Sequence, residues 1–156
     1  PRFFDKRVGL ILALYFHEID VYDQNMDIIE ENMPYLIGIF AVDDFAVMSY
    51  AGVTDPLRAA NLLNGSTLYD VTHFGLGAIC QSSSAAQIVP DKKVGEFPKL
   101  DYLFVIAGGS PESFNDKKAL NWLAGYARRG TVICGVSGGP VILAKAGQVR
   151  LFVLRY

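Results

Sequence analysis

Apolar residues form continuous runs in some parts of the chain and recur every three or four positions in others. Four stretches have the run or the period-two alternation of buried strands, namely residues 35–42, 69–79, 101–107 and 131–134. Three stretches have helical spacing, namely residues 45–63, 115–129 and 141–146. Strands that alternate with helices through short loops predict an α/β fold, with a parallel sheet covered by helices on both faces.

Smaller signals refine this prediction. Pro56 predicts a kink or a short break in the first of these helices. Residues 86–89 suggest a short strand, residues 90–93 a turn, and residues 149–154 a last strand.

Residues 1–33 have a different pattern. Seven apolar residues would share one face of a helix over residues 5–31: Val8, Ile11, Tyr15, Ile19, Tyr22, Met26 and Ile29. Pro34 ends this helix, which could pack on the sheet or pair with another subunit. We therefore predict an extra helical segment at residues 1–33 and an α/β domain at residues 34–156.

A glycine-rich turn follows the strand at residues 131–134. Its sequence, Gly135-Val-Ser-Gly-Gly139, matches the G-x-S-x-G pattern of a nucleophile elbow. Pro140 then opens a helix, where proline is tolerated in the first turn. In such an elbow Ser137 would be strained and would project from the carboxyl edge of the sheet. Glycine-rich turns also occur here without chemistry, so both interpretations stay open.

Polar or glycine-rich residues also follow two other predicted strands, at Asp43-Asp44 and at residues 108–110. Because ligands of parallel sheets bind outside the carboxyl ends of the strands, we expect these loops to converge on the elbow. We predict that six residues form a ligand-binding site: Asp43, Gly108, Gly109, Ser110, Ser137 and Gly138. The amides of Gly109 and Gly138 would suit a carboxylate or amide oxygen.

Catalysis by Ser137 would need a base and a group that orients the base. No Asp, Glu or His follows Ser137, and the two histidines are His17 and His73. His73 could point from its strand towards the elbow, but a histidine inside a strand is more often structural. Cys80 and Cys134 lack a C-x-x-C spacing and, with the histidines, form no set of metal ligands. We therefore predict no catalytic residue, no metal and no cofactor.

Composition and charge exclude further classes of protein. The chain has 156 residues, of which 51% are hydrophobic and 19% charged, as in a globular protein, and its net charge is −2. Basic residues are not clustered, which argues against nucleic-acid binding by this segment. The apolar stretch at residues 10–16 is too short to span a membrane, and no secretory signal stands out. These observations favour a cytoplasmic protein without a membrane partner.

Three stretches resemble the class I glutamine-amidotransferase-like superfamily of the PfpI type. They are IGIFAVDDFAVMSYAGVTDPLRAAN at residues 37–61, LDYLFVIAGG at residues 100–109 and LAGYARRGTVICGVSGGPVILAKAG at residues 123–147. The likeness is greatest to the amidase-like N-terminal domain of AraC-family transcriptional regulators of the GlxA type, which often have E-P-L-R-A-A-N where this chain has D-P-L-R-A-A-N. The resemblance implies a flavodoxin-like fold for an amidase-like domain at residues 34–156.

The resemblance also implies a function. Peptidase and chaperone members of the superfamily have a cysteine at the elbow and a glutamate near the start of the first helix, where this chain has Ser137 and Ser49. The regulator branch commonly lacks this pair too and senses a small molecule. We therefore expect a non-catalytic sensing domain that binds a small polar metabolite and forms a homodimer.

The resemblance ends near residue 147, where the family continues through another strand and helix and then a helix-turn-helix module. It therefore implies a domain truncated at its C-terminus, with DNA bound only through a module absent here. Two alternatives stay open. One is an amidase or peptidase of the PfpI type that uses Ser137, and the other is a structural dimerisation domain whose contact is the helix at residues 5–31.

Overall fold

The computed structural model describes residues 33–147, and within them the chain forms a parallel α/β sandwich. Its strands are β1 (Tyr35–Ala41), β2 (Tyr69–Gly75), β3 (Cys80–Gln81), β4 (Gln87–Ile88), β5 (Lys92–Lys93), β6 (Tyr102–Ala107) and β7 (Val132–Ser137). Its α-helices are α1 (Val47–Asn64), α2 (Lys117–Arg128) and α3 (Gly139–Lys145), and a 3₁₀ turn lies at Pro111–Ser113. The helix predicted at residues 5–31 and the strand predicted at residues 149–154 lie outside the described residues.

Five parallel strands form the central sheet in the order β5-β2-β1-β6-β7, and β3 and β4 form a separate antiparallel pair. The predicted parallel sheet with helices on both faces is therefore confirmed. No helix within residues 33–147 has the length and apolar character needed to cross a membrane.

The predictions for residues 69–93 were only partly correct. The alternation continues to residue 79, but β2 ends at Gly75, and Leu76 and Ile79 beyond it are 39% and 48% exposed. The short strand predicted at residues 86–89 is present as β4. The turn predicted at residues 90–93 was wrong for its last two residues. Lys92 and Lys93 pair with β2 and form the edge strand β5. Lysines are common on edge strands, where their charge hinders pairing with another chain.

Of the kink or short break predicted at Pro56, the break was wrong. Helix α1 runs without interruption from Val47 to Asn64, and Pro56 lies inside it, buried next to Leu57. A proline inside a helix costs about 3 kcal/mol because it removes a backbone hydrogen bond and crowds the preceding turn. Burial of this part of α1 against the sheet therefore outweighs the local preference of the chain.

Each face of the sheet has its own hydrophobic core. On one face α2 and α3 pack on the sheet, with the Trp122 ring 5.5 Å from that of Phe40 and 5.0 Å from that of Phe74. On the other face Leu57 and Ala60 of α1 pack with Ile39 of β1. Asp116 caps α2 by accepting a hydrogen bond from the amide of Ala119.

Asn61, the last residue of the D-P-L-R-A-A-N segment, ties the end of α1 to the start of β2. Its Nδ2 donates to the carbonyl of Tyr69 at 2.8 Å, and its Oδ1 accepts from the amides of Leu68 and Tyr69 at 2.8 and 2.9 Å. Arg58 of the same segment pairs with Asp55 on the exposed surface, where an ion pair contributes little. The role of this segment at Asn61 is therefore structural.

We expect Asn61→Ala to lower the free energy of unfolding by about 3 kcal/mol, because three partly buried hydrogen bonds of about 1 kcal/mol each are lost. Urea denaturation of the two proteins measures this difference. Asn64→Ala is the matched control, since the side chain of Asn64 bonds only to exposed Ser66 in this structure and should contribute less than 1 kcal/mol. Equal losses in the two variants would contradict the structural role of Asn61.

Candidate functional site

Ser137 occupies a strained turn at the carboxyl end of β7. It pairs with Ala107 of β6, its φ is +56°, and its side chain is exposed. The turn is tight because its glycines lie against backbone. A Cβ at Gly139 would collide with the carbonyl of Val105, and a Cβ at Gly135 would lie 2.5 Å from the nitrogen of Pro140. The structure thus has the strand–elbow–helix geometry that the sequence predicted.

Asp44 is a second strained residue, and it lies in the loop after β1. Its φ is +69°, in the left-handed region that most side chains avoid. Its carboxylate lies directly on Gly109, so that a Cβ on Gly109 would collide with Oδ2 of Asp44. Its carbonyl oxygen would lie 2.5 Å from a Cβ on Gly108. The loops after β1 and β6 are therefore in contact through these two glycines.

The loop after β6 also contacts the elbow. A Cβ on Gly138 would lie 2.9 Å from the ring of Pro111, which follows Ser110. The carbonyl of Ser110 is held by the amide and hydroxyl of Ser113, at 3.0 and 2.8 Å. The three loops thus meet at one edge of the sheet, as expected from the parallel strands. Binding of a ligand by the six predicted residues stays a prediction.

In Gly138 and Asp43, two of those six residues, a polar group that could meet a ligand already has a partner within the protein. The amide of Gly138 donates to the carbonyl of Ala107 at 2.9 Å, so it is not the ligand donor that we expected. Oδ1 of Asp43 accepts from the amide of Gln81 at 2.9 Å and holds the loop that leads to β4. A ligand would therefore meet the Ser137 hydroxyl, the backbone of Gly109 and the carboxylate of Asp44.

Sequence reasoning noted Asp44 but selected its neighbour Asp43. The signal that distinguishes them is conformational, because aspartate is one of the few residues that tolerate a left-handed backbone. The sequence alone does not show which of two adjacent aspartates adopts that backbone. The choice depends on the contact between Asp44 and Gly109, which are far apart in the chain.

His73 lies away from the elbow. Its strand, β2, is separated from β7 by β1 and β6, which is three strand spacings or roughly 14 Å. Nε2 of His73 is 2.9 Å from the hydroxyl of Tyr50, and Nδ1 is 3.3 Å from Oδ2 of Asp91. The imidazole is therefore held between α1 and the turn before β5 and does not reach Ser137.

Neither cysteine is activated as a nucleophile. Cys80 is buried, and burial together with the nearby Asp43 carboxylate raises the pKa of its thiol to about 11. Burial also raises the pKa of the Cys134 thiol. Both thiols are free, and within residues 33–147 no group of His, Cys, Asp or Glu side chains is arranged to hold a metal ion.

An open groove of about 620 Å³ lies at the other edge of the sheet, where the strands begin. Tyr102 and Val132 line it at the starts of β6 and β7, and Lys99 and Arg129 contribute positive charge. The groove is therefore separate from the loops that meet at Ser137.

Two transcriptional regulators are similar to more than two thirds of the chain. No family model matches it. It is 40% identical over 114 residues to the HTH-type transcriptional regulator GlxA of Rhizobium meliloti, in an alignment that covers 71% of this chain and 35% of the relative. It is 32% identical over 115 residues to the HTH-type transcriptional regulator GbdR of Pseudomonas aeruginosa, covering 73% of this chain and 31% of the relative.

Solved structures give the same result. An AraC family transcriptional regulator from Pseudomonas putida is similar with a TM-score of 0.65 and 25% identity, covering 78% of this chain and 77% of that chain. The chain is a homologue of the GlxA-type transcriptional regulators. A THiJ/PfpI family protein from Pseudomonas syringae has a TM-score of 0.61 and 22% identity over 88% of this chain and 56% of that chain, a similarity of fold.

These findings confirm the predicted relationship to AraC-family regulators and the predicted flavodoxin-like fold. The chain spans about a third of the length of the GlxA and GbdR relatives that it matches, 35% and 31% respectively.

The energetic effect of the contact between Asp44 and Gly109 can be measured by replacing each of two glycines with positive φ and comparing the losses of stability. Gly109 has φ +52° and touches Asp44, whereas Gly65 has φ +68° and open space around it. Replacing either by alanine should cost about 1 kcal/mol for the backbone conformation. We expect Gly109→Ala to cost about 1 to 2 kcal/mol more than Gly65→Ala, because the added methyl group displaces Asp44.

Chemical denaturation of the single variants and of Gly109→Ala combined with Asp44→Ala measures this excess. It should disappear in the Asp44→Ala background, since the colliding carboxylate is then absent. An excess that persists without the Asp44 carboxylate would show that the two loops do not meet through this contact.

Proposed function

We propose that this chain is the sensing domain of a transcriptional regulator. It would bind a small polar metabolite at the carboxyl edge of the sheet without converting it, and it would act as a homodimer. DNA would be contacted by a helix-turn-helix module outside this segment. The relationship to GlxA and GbdR, both named as HTH-type regulators, supports the regulatory role.

One observation carries the non-catalytic part of the proposal. The elbow is intact and Ser137 is strained and exposed, yet His73 is held by Tyr50 and Asp91 on the far side of β1 and β6. A serine hydroxyl is a weak nucleophile unless a base lies within hydrogen-bond reach. Among residues 33–147, therefore, the turn has the shape of an active site without a histidine base, which suits a binding site.

Asp44 determines which ligands the site would favour. Its carboxylate lies on Gly109 at an exposed position and accepts hydrogen bonds but donates none. A ligand with a cationic or amide nitrogen would bind to Asp44, and an oxygen of the same ligand would accept from the Ser137 hydroxyl. The sequence predicted that the Gly138 amide would donate to an oxygen of the ligand. That amide donates to Ala107 instead, so the Ser137 hydroxyl takes its place as the proposed donor.

A thermal-shift screen of amino acids, betaines and small amides tests this site. A compound present at a hundred times its dissociation constant should stabilise the domain by about 2.7 kcal/mol. Asp44→Asn should abolish the shift for compounds with a cationic nitrogen, because the charge of the carboxylate is lost. Asp55→Asn removes an equally exposed charge that pairs with Arg58 and should leave the shift unchanged. If no compound raises the melting temperature of the domain, the result would favour the alternative of a structural dimerisation domain.

Ser137 should not react with a fluorophosphonate probe, because His73, the histidine of the described residues, is held by Tyr50 and Asp91 and does not reach it. Intact-mass spectrometry after incubation measures the labelling, with Ser137→Ala as the control for reaction elsewhere. Stoichiometric labelling that disappears in Ser137→Ala would contradict the sensing proposal. It would favour the alternative of a PfpI-type amidase or peptidase that uses Ser137.

A further inference from the structure

Most of the basic residues of the described chain lie on two neighbouring segments. Residues 33–147 contain nine lysine and arginine residues, and seven of them belong to residues 92–99 or residues 117–129. The first segment is β5 with the loop after it, and the second is α2 with the residue that ends it. The seven are Lys92, Lys93, Lys99, Lys117, Lys118, Arg128 and Arg129. Basic residues that are scattered along the sequence are therefore gathered in the fold, so their spacing in the sequence does not exclude binding to nucleic acid.

The core fixes the loop after β5 along α2. Nε1 of Trp122 donates to the carbonyl of Glu96 at 2.6 Å, and the hydroxyl of Tyr126 donates to the carbonyl of Pro98 at 3.0 Å. Both aromatic side chains are buried in the core under α2. The loop and the helix therefore form one surface, on which the backbone positions of the basic residues are fixed relative to one another.

Basic side chains of the helix lie against this loop. Lys118 lies on Gly95, where an added Cβ would be 2.7 Å from Cε of the lysine. The guanidinium of Arg129 lies 4.0 Å from the centre of the Phe97 ring. Helical geometry places the exposed basic residues of this segment within an arc of about 120°, namely Lys117, Lys118, Arg128 and Arg129. The cations of the helix and of the loop therefore share one face of the domain.

The carboxylates near this face already have partners. Asp116 caps α2, and Glu96 lies 3.5 Å from Nζ of Lys92. Asp91 and Asp101 flank the loop and accept hydrogen bonds from backbone amides of β2 and β1, respectively. Within residues 33–147, therefore, Lys92 forms an ion pair and the other six cations of this face form none.

The charge of this face comes from the distribution of residues and not from an excess of basic ones. Residues 33–147 contain nine acidic residues, as many as basic ones. The acidic residues that lie apart from this face are Asp43, Asp44, Asp55, Asp70 and Glu112. The described part of the chain thus has no formal net charge and yet has one positive face, which attracts anions.

We propose that this surface, formed by residues 92–99 and 117–129 and named here the basic face, contacts the phosphate backbone of DNA without reading its sequence. From Lys118 to Arg129 the cations extend roughly 16 Å along α2, the length of about five base-pair steps of a duplex. Exposed lysine and arginine side chains bind phosphates and position a protein on DNA, whereas contacts with base edges determine the sequence that is bound. Sequence recognition stays with the helix-turn-helix module outside this segment.

The character of the basic face favours DNA over an acidic protein. A protein interface has an apolar centre and a polar rim. Between the two ends of the basic face the exposed residues include Glu96 and Asn121, and the exposed part of Phe97 lies next to the Arg129 guanidinium. The choice of DNA also rests on the proposed function, because GlxA and GbdR are named as HTH-type regulators. A contact that is weak alone gains from the high local concentration of DNA beside a linked DNA-binding module.

Fluorescence anisotropy of the chain with a labelled duplex of arbitrary sequence tests the proposal. Between about 50 and 200 mM salt the logarithm of the binding constant should fall with a slope of about −4 to −5, as expected when about five phosphates are neutralised. Lys118→Gln and Arg128→Gln should each weaken binding about fivefold and reduce the slope by about 1. Arg58→Gln removes the same charge from α1, apart from the basic face, and should change neither quantity.

Three outcomes would overturn the proposal. They are no binding at about 50 mM salt, equal effects of the Arg58, Lys118 and Arg128 substitutions, and displacement of the duplex by polyglutamate at an equal concentration of charge. The last would identify an acidic protein as the partner. Lys117→Gln gives a further measurement if either variant of the basic face fails to fold. No metabolite is needed, so a failure here would leave the thermal-shift result for the ligand site unchanged, and a failure there would leave this one.

Discussion

The carboxyl edge of the sheet depends on close contacts between backbone segments that only glycine allows. At Gly139 the elbow lies against the carbonyl of Val105, and at Gly108 the loop after β1 lies against β6. Because no side chain separates these segments, the ends of β1, β6 and β7 are drawn into one cluster. A methyl group at either position would push a loop outward and separate Asp44 from Ser137.

This packing also holds two residues in a conformation that they would not adopt alone. Within residues 33–147, Asp44 and Ser137 are the non-glycine residues with positive φ, and both lie in this cluster. Strain of this kind costs about 1 to 3 kcal/mol for each residue, and the surrounding structure must compensate for it. Both strained residues lie at the same edge of the sheet. Strained residues cluster at ligand sites, so this supports a ligand site there independently of the similarity to known regulators. The same packing explains how the elbow keeps its shape although His73 lies on a distant strand of the described sheet.

Much of this arrangement could be predicted from the sequence, because it depends on local rules. Continuous apolar runs identified β1, β6 and β7, and the glycine pattern around Ser137 predicted the elbow. What could not be predicted depends on contacts between distant residues. Pro56 lies within an unbroken helix because α1 is buried against the sheet, and the Gly138 amide is occupied because Ala107 lies beside it. Asp44 differs from Asp43 in its left-handed backbone and its contact with Gly109, and both depend on the folded structure.

The end of β6 determines whether the elbow keeps its shape. Ser137 pairs with Ala107 in the sheet, and the amide of Gly138 donates to the carbonyl of Ala107 at 2.9 Å. The strained residue and the glycine that follows it are therefore both held by one residue of β6. Asp44 reaches the same edge of the sheet from β1, through its contact with Gly109. A loss of ligand binding in Asp44→Asn without a loss of stability would therefore concern the site alone, because the contacts that hold Ser137 do not involve the Asp44 carboxylate.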